Sequence, residues 1–489
     1  MFAVLAFFGL FTLYVLRVIL SAAIIPMQKE FGWSNQEKGL ALSSFFIGYL
    51  FLQVPGGWAA TRYGGKNVYM ASIVVPSILT MLTPLVSSSL PALAVMRILT
   101  GAGEAASYPS LHALIGRWAP KHERSTIVGI VWAGAYMGTT CAFPLAGALI
   151  ETEGAFGGWR SVFYYSGAFG CLWGLVWTAM AASTPGEHSL VSKEERKYIE
   201  SSLVKSYDGK GAVPWLAIAS LPSMWAVCAQ HFSHNWLLYL NLTWLPDYLR
   251  TELDFNMSKG GMVAVLPYLA CFACSILAGY VAERMARAGV PLFWIRRLAQ
   301  TLSEMVSAVA LVLAGYSKNA TLAVLCMTVS VGLSGMCSAG FGVNYLDLSP
   351  YYGGVLFGIG NTIATIPGIV APLVAGAIIP TVHAGDPAPR AAWQEVFWIG
   401  FGVSIFGWSW WMIGARAELE PSISGPVEEE STDGNSVSGG GDRAKLGPLE
   451  MGAAASRAPD DEDEETARLV RRIDGDSDGT GGGSESRSD

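Results

Sequence analysis

Stretches of about twenty apolar residues recur along this chain, each long enough to cross a bilayer as a helix rising 1.5 Å per residue. They fall near 2–25, 39–60, 67–89, 90–114, 126–150 and 159–182, then near 215–246, 260–282, 298–316, 320–346, 353–380 and 394–414. Between the sets lies a polar stretch, 183–214. Six spans, a charged linker and six more spans predict an all-α polytopic membrane protein with twelve transmembrane helices in two bundles. The expected divisions are an N-terminal bundle at 1–182, a central loop at 183–214, a C-terminal bundle at 215–416 and an acidic tail at 417–489.

Composition agrees with a bilayer as the solvent. Apolar residues make up 52% and charged residues 14%, against about 25% charged in soluble domains. The net charge of -7 misleads, because acids crowd the tail at Glu428–Glu430 and Asp460–Glu465. Without that tail the chain is near neutral or slightly basic, and nothing argues for a nucleic-acid partner. All seven cysteines sit within apolar stretches, including the pair Cys271 and Cys274. An odd, buried set argues for packing rather than a disulfide framework or a metal site. Residues 1–25 lack a basic leader and read as the first span, not a cleavable signal.

Charge and punctuation orient the chain. Loops after even-numbered spans carry Arg62, Lys66, Arg117, Lys121, Arg124, Lys193, Arg196, Lys197, Arg284, Arg287, Arg296 and Arg297. The positive-inside rule then puts both termini and the central loop in the cytosol. Within that loop, Ser192 and Glu195 form a capping-box pattern that starts a short helix. The tail reads as disordered, with Glu465 and Leu469-Val470 resembling an acidic sorting signal that binds sorting machinery. Asn256-Met-Ser258 and Asn319-Ala-Thr321 match glycosylation acceptors.

Ionisable groups inside spans are costly, so each is a functional candidate. They are Arg17, Arg97, Glu104, His231, His234, Glu304 and Asp347. Arg97 and Glu104 stand two turns apart on one face, about 10 Å along the axis, with Gly101 and Gly103 leaving the wall between them free of bulk. Arg17 and Arg97 make a cationic site for a carboxylate or phosphate, and Glu104 beside them is placed to carry a coupling proton. His234 tunes the same pocket, sharing its water with His231. Glu304 is expected at the interface near the start of span nine, and Asp347 as a cap before Pro350. The structural alternative is that Arg97 pairs with Glu104 to fix packing.

Internal repetition supplies the gate. Gly57 to Lys66 after span two and Gly279 to Arg284 after span eight repeat a glycine, three residues, then an acid and an arginine, with Thr61 in place of the first acid. Gly57 and Gly279 permit close helix approach, while Arg62, Glu283 and Arg284 latch one bundle to the other on the cytosolic side. Gly134, Gly138, Pro144 and Gly147 in span five, and Gly358, Gly360, Pro367 and Gly376 in span eleven, suit helices that pack closely and bend.

Together with Ser43–Tyr49, Gln53–Gly57, Trp118–Ser125, Asn344–Asp347 and Asn361–Gly368, this pattern resembles the anion:cation symporter family of the major facilitator superfamily. Ser183–His188 and Asn361–Gly368 look most like its sialin branch. The resemblance covers about residues 14–415 and implies a secondary carrier coupled to protons, sodium or membrane potential. It places the family's functional arginines at Arg17 and Arg97 and its glutamate at Glu104. His234 replaces an arginine of the vesicular glutamate transporters, which argues against a glutamate specialist.

The expected function is therefore proton-coupled transport of an acidic sugar or other carboxylate by alternating access. Sodium-dependent phosphate transport is the alternative. No cofactor is expected beyond the coupling ion, H+ or Na+, and no metal site. A functional monomer is expected, in an endolysosomal, vacuolar or plasma membrane rather than a plastid one. Two rivals from other classes remain: a non-transporting sensor on a carrier fold, and an intramembrane serine protease suggested by Gly332-Leu333-Ser334-Gly335. The latter needs a histidine held beside Ser334.

Overall fold

The computed structural model describes residues 1–152, 157–188, 190–203, 212–253, 257–379 and 390–423. The first bundle comprises α1 (Phe2–Phe31), α2 (Asn35–Tyr63), α3 (Gly65–Val86), α4 (Leu90–Glu104), α5 (Ser107–Trp118), α6 (Arg124–Glu151) and α7 (Trp159–Met180). Linker helices α8 (Lys193–Ser202) and α9 (Trp215–Ser220) lead to α10 (Pro222–Leu253), α11 (Met257–Arg287), α12 (Leu292–Thr301) and α13 (Ser307–Tyr316). The chain finishes with α14 (Ala320–Ser334), α15 (Phe341–Leu348), α16 (Gly353–Ile378) and α17 (Arg390–Gly414).

Counted as spans these make two sets of six. Span four is α4 and α5, broken at Ala105 and Ala106; span nine is α12 and α13, joined by a π-helical turn at Leu302–Val306; span ten is α14 and α15, joined through a 3-10 turn at Gly335–Ser338. Among the described residues, nine helical stretches, spans nine and ten taken through their turns, are long and apolar enough to cross a membrane. The breaks in spans four and ten are related: α4 and α14 are each 15 residues long, so the repetition legible in the loops extends to the interruption of the fourth span in each half. Span seven, expected from 215, starts only at Pro222, because the chain turns at Leu221 between α9 and α10.

Surface and interior are inverted relative to a soluble domain. Phe51, Leu175 and Ile413 are at least 70% exposed, while Gln53, Glu104, His112, Gln230 and Glu304 are completely buried. Lipid accepts the apolar surface, so what holds helices together is close packing and polar contact. In the first bundle α1 packs on α6, α2 on α4 and α3 on α7; in the second, α10 packs on α16 and α17, and α11 on α14. The two bundles meet through α6 with α11 and α16 with α2 and α5.

The polar ends are tied down locally. Ser34 and Glu37 cap the start of α2 reciprocally, and Ser192 accepts the Glu195 N–H at 3.1 Å to start α8. Tyr198 of α8 donates to Glu123 at 2.8 Å, holding the linker helix against the loop before α6. Residues 417–423, read from sequence as the beginning of a disordered tail, are packed instead. The Glu420 N–H donates to Leu348 at 3.0 Å, Ser223 donates to the Glu420 carboxylate at 2.9 Å, and Ile423 is buried. The rest of the tail, with its sorting-like motif, and the acceptor at Asn256 lie outside the described residues. All seven cysteines are free thiols.

Candidate functional site

The first-bundle site is assembled from three helices. Arg17 projects from the middle of α1, and its Nη2 and Nε donate to Glu104 Oε2 at 3.0 and 3.2 Å. Glu104 is the last residue of α4, immediately before the break in span four, and is completely buried. Aromatic rings enclose the Arg17 guanidinium: its central carbon lies 5.1 Å from the Tyr14 ring, 5.0 Å from Phe45 and 4.6 Å from Tyr49. Arg97, two turns before Glu104, is also over the Phe45 ring, at 5.1 Å. One phenyl ring thus packs against two guanidinium groups.

Arg17, Arg97 and Glu104 are brought together as expected, but the pairing is new. The glutamate engages Arg17 from another helix, and among the described residues no carboxylate forms an ion pair with Arg97. The wall between Arg97 and Glu104 is not open either. A Cβ on Gly101 would stand 2.9 Å from the Phe45 carbonyl carbon, so the glycine serves the approach of α2 to α4. Two arginines and one glutamate leave one positive charge uncompensated. Two buried atoms also lack a hydrogen-bond partner here, Arg97 Nε and Glu104 Oε1. Unsatisfied groups of this kind cost about 1–3 kcal/mol each, so the site is arranged for something that supplies both a negative charge and hydrogen bonds.

His234 joins a different group. Its Nδ1 lies 3.8 Å from Glu304 Oε2, which also accepts from Gln230 Nε2 at 2.9 Å. Glu304 is completely buried, which corrects its expected interfacial place. Span nine begins at Leu292, not near 298, so Glu304 lies twelve residues along it, about 18 Å at 1.5 Å per residue. His231, one turn earlier, directs its Nδ1 to the Tyr345 hydroxyl at 3.1 Å, and its ring packs on Phe341, which His234 also contacts.

Asp347 is not a loop cap. It receives Arg296 through Nε at 2.7 Å and Nη2 at 3.2 Å, a buried bidentate pair. The same arginine donates to Ser125 of the first bundle at 2.9 Å, and Arg124 donates across to the Leu346 carbonyl at 3.0 Å. These cross-bundle contacts cluster at the end bearing the basic loops, and the expected latch residues fall partly among them. Gly57 abuts the Gly354 backbone and Gly279 the backbone of Ser125 and Thr126. Glu283 accepts from Thr126 across the interface and from Arg287 on its own helix at 2.6 Å. Arg284 turns back to Tyr280 at 3.0 Å, and Arg62 is exposed, so neither reaches the other bundle.

Further inward, His112, which charge reasoning overlooked, spans the interface. Its ring nitrogens lie 3.0 Å from the Tyr108 carbonyl and 3.1 Å from the Gly342 carbonyl, and its ring stacks on Phe357 at 3.9 Å. Asn361 of α16 donates to Tyr49 at 3.0 Å and to Gln53 of α2, and Gln53 donates to Thr365 at 2.9 Å. The basic end is therefore closed. Ser334, the protease-like serine, donates to Val331 at 2.6 Å and has Cys271 as its nearest side-chain partner.

The family model described as Major Facilitator Superfamily matches residues 6–372. Sialin of Ovis aries is 36% identical over 451 residues, covering 86% of this chain and 89% of the relative. The chloroplastic sodium-dependent phosphate transport protein 1 of Arabidopsis thaliana is 33% identical over 403 residues, covering 82% of this chain and 76% of that protein. Among solved structures, the proton:xylose symporter XylE bound to 6-bromo-6-deoxy-D-glucose superposes with a TM-score of 0.63 at 14% identity. That match covers 84% of this chain and 95% of the other. At that identity the match speaks for the fold alone.

Proposed function

From a chain that belongs to the major facilitator superfamily, and to its anion transporters, we propose a proton-coupled carrier of an acidic sugar or similar carboxylate, working by alternating access. The observation that carries this reading is the uncompensated charge of Arg17, Arg97 and Glu104, together with the unpartnered Arg97 Nε and Glu104 Oε1. A substrate carboxylate satisfies Arg97 and competes with Glu104 for Arg17. A proton on Glu104 weakens its hold on Arg17 and frees that guanidinium for the anion. Proton and anion then load together, and their charges offset during the crossing.

The aromatic rings around Arg17 suit the apolar faces of a sugar ring as well as the guanidinium. From the second bundle it is Tyr239 of α10 that adjoins this pocket, packed on Phe46 of α2 at 5.7 Å, while His234 on the same helix turns to Glu304. Opening would separate α2 from α16 and α6 from α11 at the basic end, which this reading assigns to the cytosol together with both termini. A functional monomer in an endolysosomal, vacuolar or plasma membrane completes the proposal, with the acidic tail available to sorting machinery.

Ligand-dependent thermal stabilisation tests the binding half of this reading without requiring flux. A carboxylate substrate at a hundred times its Kd stabilises a folded protein by about 2.7 kcal/mol. The wild type should show that response to an acidic sugar, and Arg97→Ala should lose it while keeping its ligand-free melting behaviour. Equal stabilisation of both proteins would remove Arg97 from the site.

A further inference from the structure

We propose that Glu304 and His234 form a second proton-binding site inside the C-terminal bundle, separate from the arginine-lined anion site. Glu304 is completely buried and His234 is 4% exposed. A lone carboxylate at that depth would be strongly disfavoured, and no arginine or lysine pairs with it among the described residues. Its neighbours are polar and neutral or titratable: Gln230 donates to Oε2 at 2.9 Å, and His234 Nδ1 lies 3.8 Å from the same atom.

The helix is built to bring Glu304 there. The π-helical turn at Leu302–Val306 inserts an extra residue into span nine around it, and such turns recur where a helix redirects a side chain for function. Two acceptors in this cluster, Glu304 Oε1 and Gln230 Oε1, are buried without a donor. A proton on the carboxylate turns one of those acceptors into a donor and relieves the mismatch directly.

The chemistry is a single exchangeable proton drawn from water. Held on His234 it faces the carboxylate as an ion pair; held on Glu304 it leaves two neutral groups. Released, it leaves one buried negative charge. The titratable groups facing the dyad are the Cys337 thiol, from the turn between α14 and α15, and His231, one turn earlier on the same helix α10. Phe341 closes it on the ring side, 5.2 Å from His234. The anion site needs no part of this cluster, since Arg17, Arg97 and Glu104 lie on α1 and α4. The second bundle can then bind a proton independently of the one that loads with the anion at Glu104.

The functional consequence rests on the transport reading, but proton binding does not, and the test keeps them apart. Infrared difference spectra of the purified protein in lipid nanodiscs would be recorded across a pH titration, for the wild type, Glu304→Gln, His234→Gln and Glu104→Gln. The account expects a protonated-carboxyl band that is absent from Glu304→Gln and present in Glu104→Gln. His234→Gln should move its midpoint by about one pH unit or more, a tenfold change in proton affinity. A carboxyl band unchanged in Glu304→Gln would overturn the proposal, whatever the flux measurements show. So would a midpoint in His234→Gln equal to the wild type, because the histidine would then not share the proton. If Glu304→Gln fails to fold, His234→Gln alone decides by the same midpoint.

Discussion

The Arg17 guanidinium crosses from the first span to the end of α4 and holds Glu104 Oε2 at 3.0 Å, leaving Oε1 without a partner. Glu104 is thus the partner of one arginine and the neighbour of another. That geometry makes its protonation state a switch on how firmly Arg17 is occupied.

Replacing Arg97 should abolish uptake without unfolding the protein. No carboxylate pairs with it among the described residues, so Arg97→Ala leaves no buried charge stranded by its loss. Uptake should fall at least about a hundredfold, the scale set by a lost charge-assisted contact of about 3 kcal/mol. Arg97→Lys should recover little of it, because an ammonium cannot reproduce the planar fork. Initial uptake rates alongside size-exclusion profiles check this.

Glu104→Gln should separate transport from the pH gradient. The amide keeps the shape and cannot ionise, so uptake should no longer rise as the substrate side is acidified. Glu104→Ala should be worse for stability, by about 3–5 kcal/mol, because it strands the buried Arg17 charge. An unchanged pH response in Glu104→Gln would remove the glutamate from coupling.

The closed end depends on backbone approach and on one buried ion pair. A Cβ at Gly279 would stand 2.6 Å from the Ser125 carbonyl oxygen and 2.8 Å from the Thr126 Cα. Gly279→Val should keep the basic end from closing and stop transport with expression retained. Asp347→Asn should weaken the same seal by unpairing Arg296. Increased labelling of a single cysteine introduced at Thr126 would report the opening in both.

Asn361 should matter more for stability than its size suggests. It satisfies Tyr49 and Gln53 across the bundles. Asn361→Ala leaves both buried groups short of a partner, at about 1–3 kcal/mol each. A clear fall in melting temperature should follow, whereas Ser43→Ala, at an exposed hydroxyl, should change little.

Much of this was legible in the sequence because a bilayer simplifies the reading. Span length, loop charge and the cost of buried charge act residue by residue, so the twelve spans and the trio Arg17, Arg97 and Glu104 could be isolated one at a time. The pairing could not, because it depends on which faces of α1 and α4 meet. Glu304 was misplaced for a related reason. Its helix starts earlier than hydropathy suggests, and Arg296, which looks interfacial, is buried on the stem of span nine. Arg296 is held there by Asp347, 51 positions away. His112 was missed because it bonds to backbone carbonyls, which leave no trace in side-chain patterns.

The most direct test of the central claim is uptake of a labelled anion panel into proteoliposomes, comprising phosphate, glutamate, sialic acid, glucuronate and ascorbate. A pH gradient would be imposed with and without sodium, for the wild type and Arg97→Ala. The account predicts uptake of an acidic sugar driven by protons without sodium, and lost in Arg97→Ala. Phosphate uptake that requires sodium and ignores the pH gradient would contradict it.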